Sequence, residues 1–199
     1  MIKELLLYFT RYLDRQVMLD SFRNGSSSDP DYAELYSLIS AQPVNGRIPE
    51  IQHVVFGDSI DKVRKSIDRF TGLYLFIDYG TIVSTQDRKE SYTDTLSCAV
   101  TIAAKVSDQA DLVEEQLVSD RTLAIINRLR AWMVADSAQY AWLQLMSGRH
   151  QMDPFVSDVL KSIGWTITFS IDAQDLLDVK QLILQYRNEK SYQWSGRIK

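Results

Sequence analysis

The stretch that decides the fold is Tyr92-Thr-Asp-Thr-Leu-Ser-Cys-Ala-Val-Thr-Ile-Ala-Ala-Lys-Val106. Its even-numbered positions are apolar from residue 96 onward, whereas its odd-numbered positions are mostly Thr, Ser or Lys. Successive side chains of a β-strand point to opposite faces of the sheet. The alternation therefore predicts an antiparallel strand with one buried face and one face in contact with water.

The segments on either side extend this strand into a sheet. Leu73 to Val83 is dense in β-branched and aromatic residues, and the polar run from Ser84 to Glu90 connects it to the alternating strand, which predicts a hairpin. Trp165 to Asp172 alternates in the same way, and Tyr140 to Met146 is read as a further strand. A short strand at Ile51 to Phe56 is a weaker candidate.

Helical spacing of apolar residues dominates the remaining segments. The sequence predicts five helices: residues 2–22, 30–40, about 60–70, 108 to about 134, and 175–186. Asp29 is the predicted N-cap of the second helix, Asp58 or Ser59 of the third and Asp108 of the fourth. The fourth helix has a candidate break near Ser119. The fold class is therefore α+β. We expect a mainly antiparallel sheet of about four strands with helices packed on one face, plus an N-terminal helical segment.

Three regions follow from this order of elements. Residues 1–58 form an N-terminal helical segment, residues 59–187 an α+β core and residues 188–199 a polar tail, and the whole is expected to be one compact unit. In the polar tail, Tyr192 and Trp194 are candidate docking residues, because aromatic side chains in a polar terminus suggest contact with a partner.

Composition excludes several functional classes. The 26 acidic residues outnumber the 22 basic ones and the net charge is −4, which argues against a general nucleic-acid-binding protein. The apolar N-terminal stretch is interrupted by charges and does not resemble a signal peptide, and no run is long enough to span a membrane. We therefore expect a soluble protein made in the cytoplasm.

A search for catalytic chemistry finds little. The two histidines, His53 and His150, match no known signature, and Cys98 in the alternating strand is read as a buried structural thiol. The most enzyme-like spot is the loop with Arg149 and His150 near Asp153. No zinc, calcium or phosphate-loop pattern occurs, so no catalytic residue, metal or cofactor is expected.

Three segments taken together resemble the tail terminator, or tail completion, proteins of long-tailed bacteriophages. They are Leu73-Tyr-Leu-Phe-Ile-Asp-Tyr-Gly80, Ser91-Tyr-Thr-Asp94, and Asp153-Pro-Phe with Ile163-Gly-Trp-Thr-Ile-Thr-Phe169. The resemblance covers roughly residues 60 to 172. The N-terminal helices, to about residue 58, depart from the shortest members of that family.

The resemblance implies a structural virion protein without catalytic residues or a cofactor. Such a protein forms a ring, commonly of six subunits, that closes the tail tube and docks to the head connector, with DNA passing through and not binding specifically. It would be found in the host cytoplasm during assembly and then in the virion. The tip of the predicted hairpin, Asp87, Arg88, Lys89 and Glu90, is the candidate contact with neighbouring subunits or with the tube.

Two other functional classes remain open at this stage. One is a non-enzymatic cytoplasmic binding module that dimerises through the polar sheet face or through the N-terminal helix, where Leu6 and Phe9 would form the contact. The other is an enzyme that uses Arg149, His150 and Asp153. Replacement of His150 by Ala distinguishes the enzyme from both structural alternatives, since turnover would depend on that residue.

Overall fold

A computed structural model describes residues 2–22, 27–86, 92–107, 109–139, 143 and 150–174. The helices are α1 Ile2–Thr10, α2 Arg15–Leu19, α3 Pro30–Ser40, α4 Ile60–Ile67 and α5 Leu112–Asp136. The strands are β1 His53–Gly57, β2 Leu73–Gln86, β3 Tyr92–Lys105, β4 Gln151–Ser157 and β5 Ser162–Gln174. These elements confirm the α+β class.

Within the described residues the sheet has five strands rather than four, in the order β1-β2-β3-β5-β4. β1 runs parallel to β2, and every other neighbouring pair is antiparallel. The parallel pair is joined by α4, since parallel strands need a crossover connection. The predicted hairpin is present as β2 and β3, and β3 lies at the centre of the sheet.

The main core lies on the face of the sheet that carries the apolar positions of β3. Side chains from α1, β1 and α5 pack there against the sheet, so the N-terminal segment and the predicted core region share one hydrophobic cluster. Leu96, Val100 and Ile102 of β3 are fully buried in it, as the alternation predicted. We call this the covered face.

Within the part of the chain that the structure describes, the opposite face is covered at one end. Val63 and Ile67 of α4 pack there against Tyr74 and Phe76 of β2, together with Leu160 and Ala103. As a result, Thr101 and Ala103 are buried although their positions were predicted to face water. α4 thus lies on the second face, whereas α5 and the N-terminal helices lie on the first.

The predicted N-terminal helix over residues 2–22 is interrupted after Thr10 and resumes at Arg15. The loop before β1 binds at this break: Ile48 N donates to Tyr12 O at 2.8 Å, and Arg15 N donates to Val44 O at 2.9 Å. Gly46 lies so close to the backbone of Leu13 that a Cβ there would be 2.2 Å from its carbonyl carbon. A long-range contact, invisible to local periodicity, therefore divides the helix.

The N-cap predicted from local sequence is confirmed for α3 and wrong for α5. α3 begins at Pro30 as predicted, and the Asp29 carboxylate accepts a hydrogen bond from Asp31 N at 2.9 Å. α5 is capped by Asp111, not by the predicted Asp108, and Asp111 Oδ1 accepts from Val113 N and Glu114 N. The helix continues unbroken through Ser119.

The predicted strand at Tyr140 to Met146 is wrong at the one position the structure describes, because Leu143 is helical. A short apolar run fits a buried helix as well as a strand, and only its packing decides. The strand that was not predicted is β4, which contains Pro154. Proline is tolerated there since β4 is an edge strand. The predicted helix from Asp175 to Tyr186 lies outside the described residues.

Candidate interaction surfaces

The part of the second sheet face that α4 leaves uncovered is the largest candidate surface. Strand pairing places Ala99 of β3 beside Asp78 of β2 and Thr168 of β5, and places Ser97 beside Ser170. These side chains are small and mostly hydroxylic, and they are exposed or half-buried. We call this second face of the sheet, including the end that α4 covers, the open face.

Hydroxyl groups on the open face bind one another across the strands. Thr101 Oγ1 and Thr166 Oγ1 are 2.7 Å apart, and Thr95 Oγ1 donates to Asp172 Oδ1 at 2.7 Å. Cross-strand pairs of this kind stabilise a sheet by a few tenths of a kcal/mol to about 1 kcal/mol each.

A cavity of about 660 Å³ lies on the open face, lined by Asp78, Gly80, Ser97, Thr168 and Ser170 among others. One carboxylate oxygen of Asp78 is buried and accepts no hydrogen bond from any described residue. Burial, reinforced by the negative charge of Asp58, raises the pKa of Asp78 above its ordinary value. The cavity therefore offers an acceptor that a basic or hydroxyl donor could satisfy.

The charge of the open face has one sign. Its uncovered part carries the carboxylates Asp78, Asp153 and Asp172, and strand register places no Lys or Arg among the described residues there. Asp153 accepts hydrogen bonds from Gln151 Nε2 at 3.0 and 3.1 Å. An acidic, hydroxyl-rich surface repels phosphate backbones and favours basic partners.

A bulge between Tyr79 and Ile82 bends the outer half of the hairpin. Tyr79 pairs with Cys98 and Ile82 pairs with Leu96, so β2 contains one extra residue at Gly80 and Thr81. A Cβ at Gly80 would lie 3.0 Å from Ser97 O, which leaves little room for a side chain. Beyond the bulge β2 is exposed as far as Gln86, with Ile82 and Val83 on opposite faces.

The enzyme-like spot is not assembled as a catalytic group by the described residues. Arg130 Nε donates to His150 Nδ1 at 3.3 Å, while Asp153 is held by Gln151. Arg149 lies outside the described residues. His53 stacks on Phe70 with ring centroids 4.3 Å apart.

Cys98 is buried on the covered face. Burial, with a smaller effect from the negative charge of Asp78, raises the pKa of its thiol to about 12. At neutral pH the sulfur is therefore protonated and a poor nucleophile. This agrees with the structural role predicted from the strand pattern.

A buried polar network was not found by sequence reasoning. Tyr8 Oη and Tyr12 Oη are 2.6 Å apart, Tyr8 Oη donates to Asp136 at 3.2 Å, and Arg47 forms an ion pair with Asp136. The Arg47 guanidinium lies 4.4 Å from the ring centroid of Trp132. Burial raises the pKa of both tyrosines, to about 12 for Tyr12. The network joins α1, the loop before β1 and the end of α5, and it holds these elements together.

The residues predicted as contacts could not be located on these surfaces. Asp87, Arg88, Lys89 and Glu90 of the hairpin tip lie outside the described residues, as do Tyr192 and Trp194 of the tail. In the described ranges no cluster of three or more His, Cys, Asp or Glu side chains is arranged to hold a metal ion. None of the helices described above has the length and apolar character to cross a membrane.

Among the described residues, the surroundings of the open face include no assembled nucleophile and base. Comparison with known proteins adds no relative from which a role could be carried over. No protein-family model matches this sequence, and neither a curated protein nor a solved structure matches it.

Proposed function

We propose that this chain is a structural protein of a bacteriophage tail that assembles into a ring, closes the tail tube and docks to the head connector. The observation that carries the proposal is the open face, an acidic surface of small side chains on a strongly built sheet. Such a surface suits contact with other subunits better than it suits binding of a small molecule, which favours deep apolar pockets.

The segments that resemble tail terminator proteins lie next to one another in the fold. Leu73–Gly80 forms the first half of β2, residues 92–94 begin β3, and residues 153–169 run through most of β4 and the first half of β5. These strands are neighbours in one sheet. Their adjacency supports the idea that the three segments belong to one structural unit, here extended by the N-terminal helices.

The acidic character of the open face fits a ring that DNA passes through. A lumen lined with Lys and Arg would release counterions from DNA and hold it. Carboxylates at the part of the open face that subunit contacts leave uncovered, such as the exposed Asp172, would keep the duplex away from the wall. In this arrangement the hairpin tip at residues 87–90 contacts a neighbouring subunit or the tube, and the ring has six subunits.

Native mass spectrometry of the purified protein over a wide concentration range tests the proposal. We expect a closed ring, with six copies as the expected number. Replacement of Asp87, Arg88, Lys89 and Glu90 by Ser should shift the ring to smaller species while the melting temperature stays unchanged. A protein that remains monomeric at all concentrations, also in the presence of tail tubes, would contradict the proposal.

The second candidate, a dimeric binding module, is favoured by a different observation, the exposed aliphatic side chains of α5. The exposed fractions of Val113, Leu117 and Val134 are 67%, 60% and 52%. The contact predicted for it at Leu6 and Phe9 is wrong for Phe9, which is completely buried within its own chain. A dimeric module would therefore use the open face or α5. Native mass spectra in which no species exceeds two copies would favour the dimeric binding module over the ring.

A further inference from the structure

The polar tail, taken together with Arg187, is basic in contrast to the rest of the chain. Its sequence is Arg187-Asn-Glu-Lys-Ser-Tyr-Gln-Trp-Ser-Gly-Arg-Ile-Lys199, with four basic residues and one acidic residue. The whole chain, by comparison, has a net charge of −4. A segment of this charge is attracted to an acidic surface. We call residues 187–199 the basic segment.

The open face carries carboxylates whose charge no described residue neutralises. Asp78, Asp153 and Asp172 lie on its uncovered part, and none of them forms an ion pair with another described residue. Burial and the nearby negative charge of Asp58 both raise the pKa of Asp78. A cationic segment that covered this face would compensate the negative charge that accumulates there.

The cavity on the open face combines a carboxylate with a floor of small residues. Its lining includes Asp78 together with Gly80, Ser97 and Ala99. Because these three residues are small, they leave a volume of about 660 Å³ above the sheet. An occupant that fits this cavity carries a flat ring to lie on the small residues and a cation to meet Asp78.

The basic segment has aromatic and cationic side chains at alternate positions. In an extended segment successive side chains point to opposite sides, so Lys190, Tyr192 and Trp194 share one side. The rings of Tyr and Trp bury a large area and keep a polar group that can bind hydroxyl groups such as those of Ser97 and Ser170. One side of the basic segment therefore carries both kinds of group that the cavity can bind.

The described chain ends at the edge of this surface. β5 ends at Gln174, which pairs with Thr93, and six residues of β5 separate it from Thr168, in the same row of the sheet as Asp78. Six residues of a strand span about 20 Å. Residues 175–186, which connect β5 to the basic segment, span about 18 Å as a helix and about 40 Å when extended. The basic segment can therefore reach the cavity of its own chain, where the tether gives it a high effective concentration.

The other contact segment singled out from the sequence is a poorer occupant of the same surface. The hairpin tip at residues 87–90 contains two acidic and two basic residues and no aromatic residue. Its net charge is zero, so it gains little from an acidic surface and offers no ring to the cavity. Charge and residue type together select the basic segment.

From these observations we infer that the basic segment docks on the open face of its own chain, with Trp194 in the cavity and Lys190 beside Asp78. The docking goes beyond the proposed function and does not require a ring. In the free chain it covers a surface that a neighbouring subunit would contact. Subunits that pair through the open face would have to displace the basic segment first.

Disulfide trapping tests the docked position. A variant with Ser170→Cys on the open face and Ser195→Cys beside Trp194 should form an intramolecular disulfide on mild oxidation, seen as a monomer of faster mobility on a non-reducing gel. The native Cys98 is buried and should not compete. Ser37→Cys, exposed in α3, combined with Ser195→Cys is the matched control and should stay reduced. Equal crosslinking of the two pairs, or a disulfide that joins two copies, would overturn the inference.

Limited trypsin digestion tests the pairing of charges. Trypsin cleaves after the basic residues of the basic segment, and docking should slow these cleavages. Replacement of Asp78 and Asp172 by Asn should speed them by about threefold or more, because proteolysis tracks the population of the undocked form. The control, Glu114→Gln with Asp120→Asn on α5, changes the net charge equally and should leave the rates unchanged. Equal rates in the unmodified protein and in both variants, with folds shown intact by circular dichroism, would contradict the docking.

The docking can fail independently of the proposed function. A six-membered ring whose double-cysteine variant at residues 170 and 195 forms no intramolecular disulfide, before or after assembly, would overturn the docking and leave the proposed function standing. A monomer that forms this disulfide and never assembles, even with tail tubes present, would establish the docking and contradict the ring.

Discussion

The two faces of the central sheet are formed by the same strands but differ in how far their side chains are buried. On the covered face Leu96, Val100 and Ile102 of β3 are fully buried against helices. On the open face the intervening Ser97 and Ala99 remain accessible, and the hydroxyl groups of Thr101 and Thr166 satisfy each other. The covered face therefore buries the large apolar side chains of β3, whereas small polar side chains of the open face stay accessible among the described residues.

The largest expected difference between the faces is seen at two adjacent residues of β5. Ile167→Ala on the covered face should lower the free energy of unfolding by about 3 kcal/mol, because it leaves a cavity in a packed core. Thr168→Ala on the open face should change it by less than about 0.5 kcal/mol. Urea denaturation measures both. Similar losses for the two variants would show that the open face is also a core.

A second, smaller effect is expected where α4 covers the open face. Gly164 is buried there, and a Cβ added to it would lie 2.1 Å from Ile102 O. Gly164→Ala should therefore cost about 2 kcal/mol through overpacking. Gly80→Ala, at the uncovered bulge, should cost less because its nearest contact would be 3.0 Å. Denaturant midpoints compare the two, and the reverse order would contradict the assignment of the covered end.

The hydrogen bond between the hydroxyl groups of Thr101 and Thr166 should contribute modestly to the free energy of unfolding. This pair lies on the open face where the part covered by α4 meets the uncovered part. Thr101→Ala removes the partner of the Thr166 hydroxyl at a buried position and should cost about 1 kcal/mol. Thr95→Ala, whose partner is the exposed Asp172, should cost less, because water can replace the lost donor. Thermal unfolding measured by calorimetry distinguishes them.

The smallest expected effect is a gain in stability, and it concerns Asp78. The pKa of Asp78 is raised in the folded chain, so the folded state binds more protons than the unfolded state between the two pKa values. Stability should accordingly fall as the pH rises through the folded pKa and be recovered on acidification. Asp78→Asn should remove this pH dependence and stabilise the protein slightly at pH 7, because the buried position no longer carries a charge.

The control for this pH dependence is Asp172→Asn, on the same face but exposed. Unfolding of both variants should be followed from pH 4 to pH 8. A pH profile of Asp78→Asn that parallels the unmodified protein would contradict the electrostatic assignment.

Sequence reasoning recovered the elements whose signals are local. The alternation in β3 and β5 and the Asp29-Pro30 start of α3 each correspond to a physical preference of a few consecutive residues, and each was found. The break between α1 and α2 was missed because it depends on Val44 and Ile48, which are about thirty residues away in sequence. β4 was missed because proline is uncommon within strands, and Pro154 is tolerated in β4 only because β4 lies at the edge of the sheet.

The candidate surfaces divide in the same way. Alternation alone indicated that one sheet face is polar. It does not show that α4 covers one end of the open face, that one oxygen of Asp78 is buried with no donor among the described residues, or that Asp136 meets Arg47 and Tyr8. Those depend on which distant segments meet.

By itself, the sequence determined the α+β class, the central hairpin and the face on which each residue of β3 would lie, because the period of a strand is set by backbone geometry. Tertiary structure alone decided the five-strand order, the division of the N-terminal helix, and how much of each face would be covered. Covering a face requires chain segments far apart in sequence to pack together, and local patterns do not encode that packing.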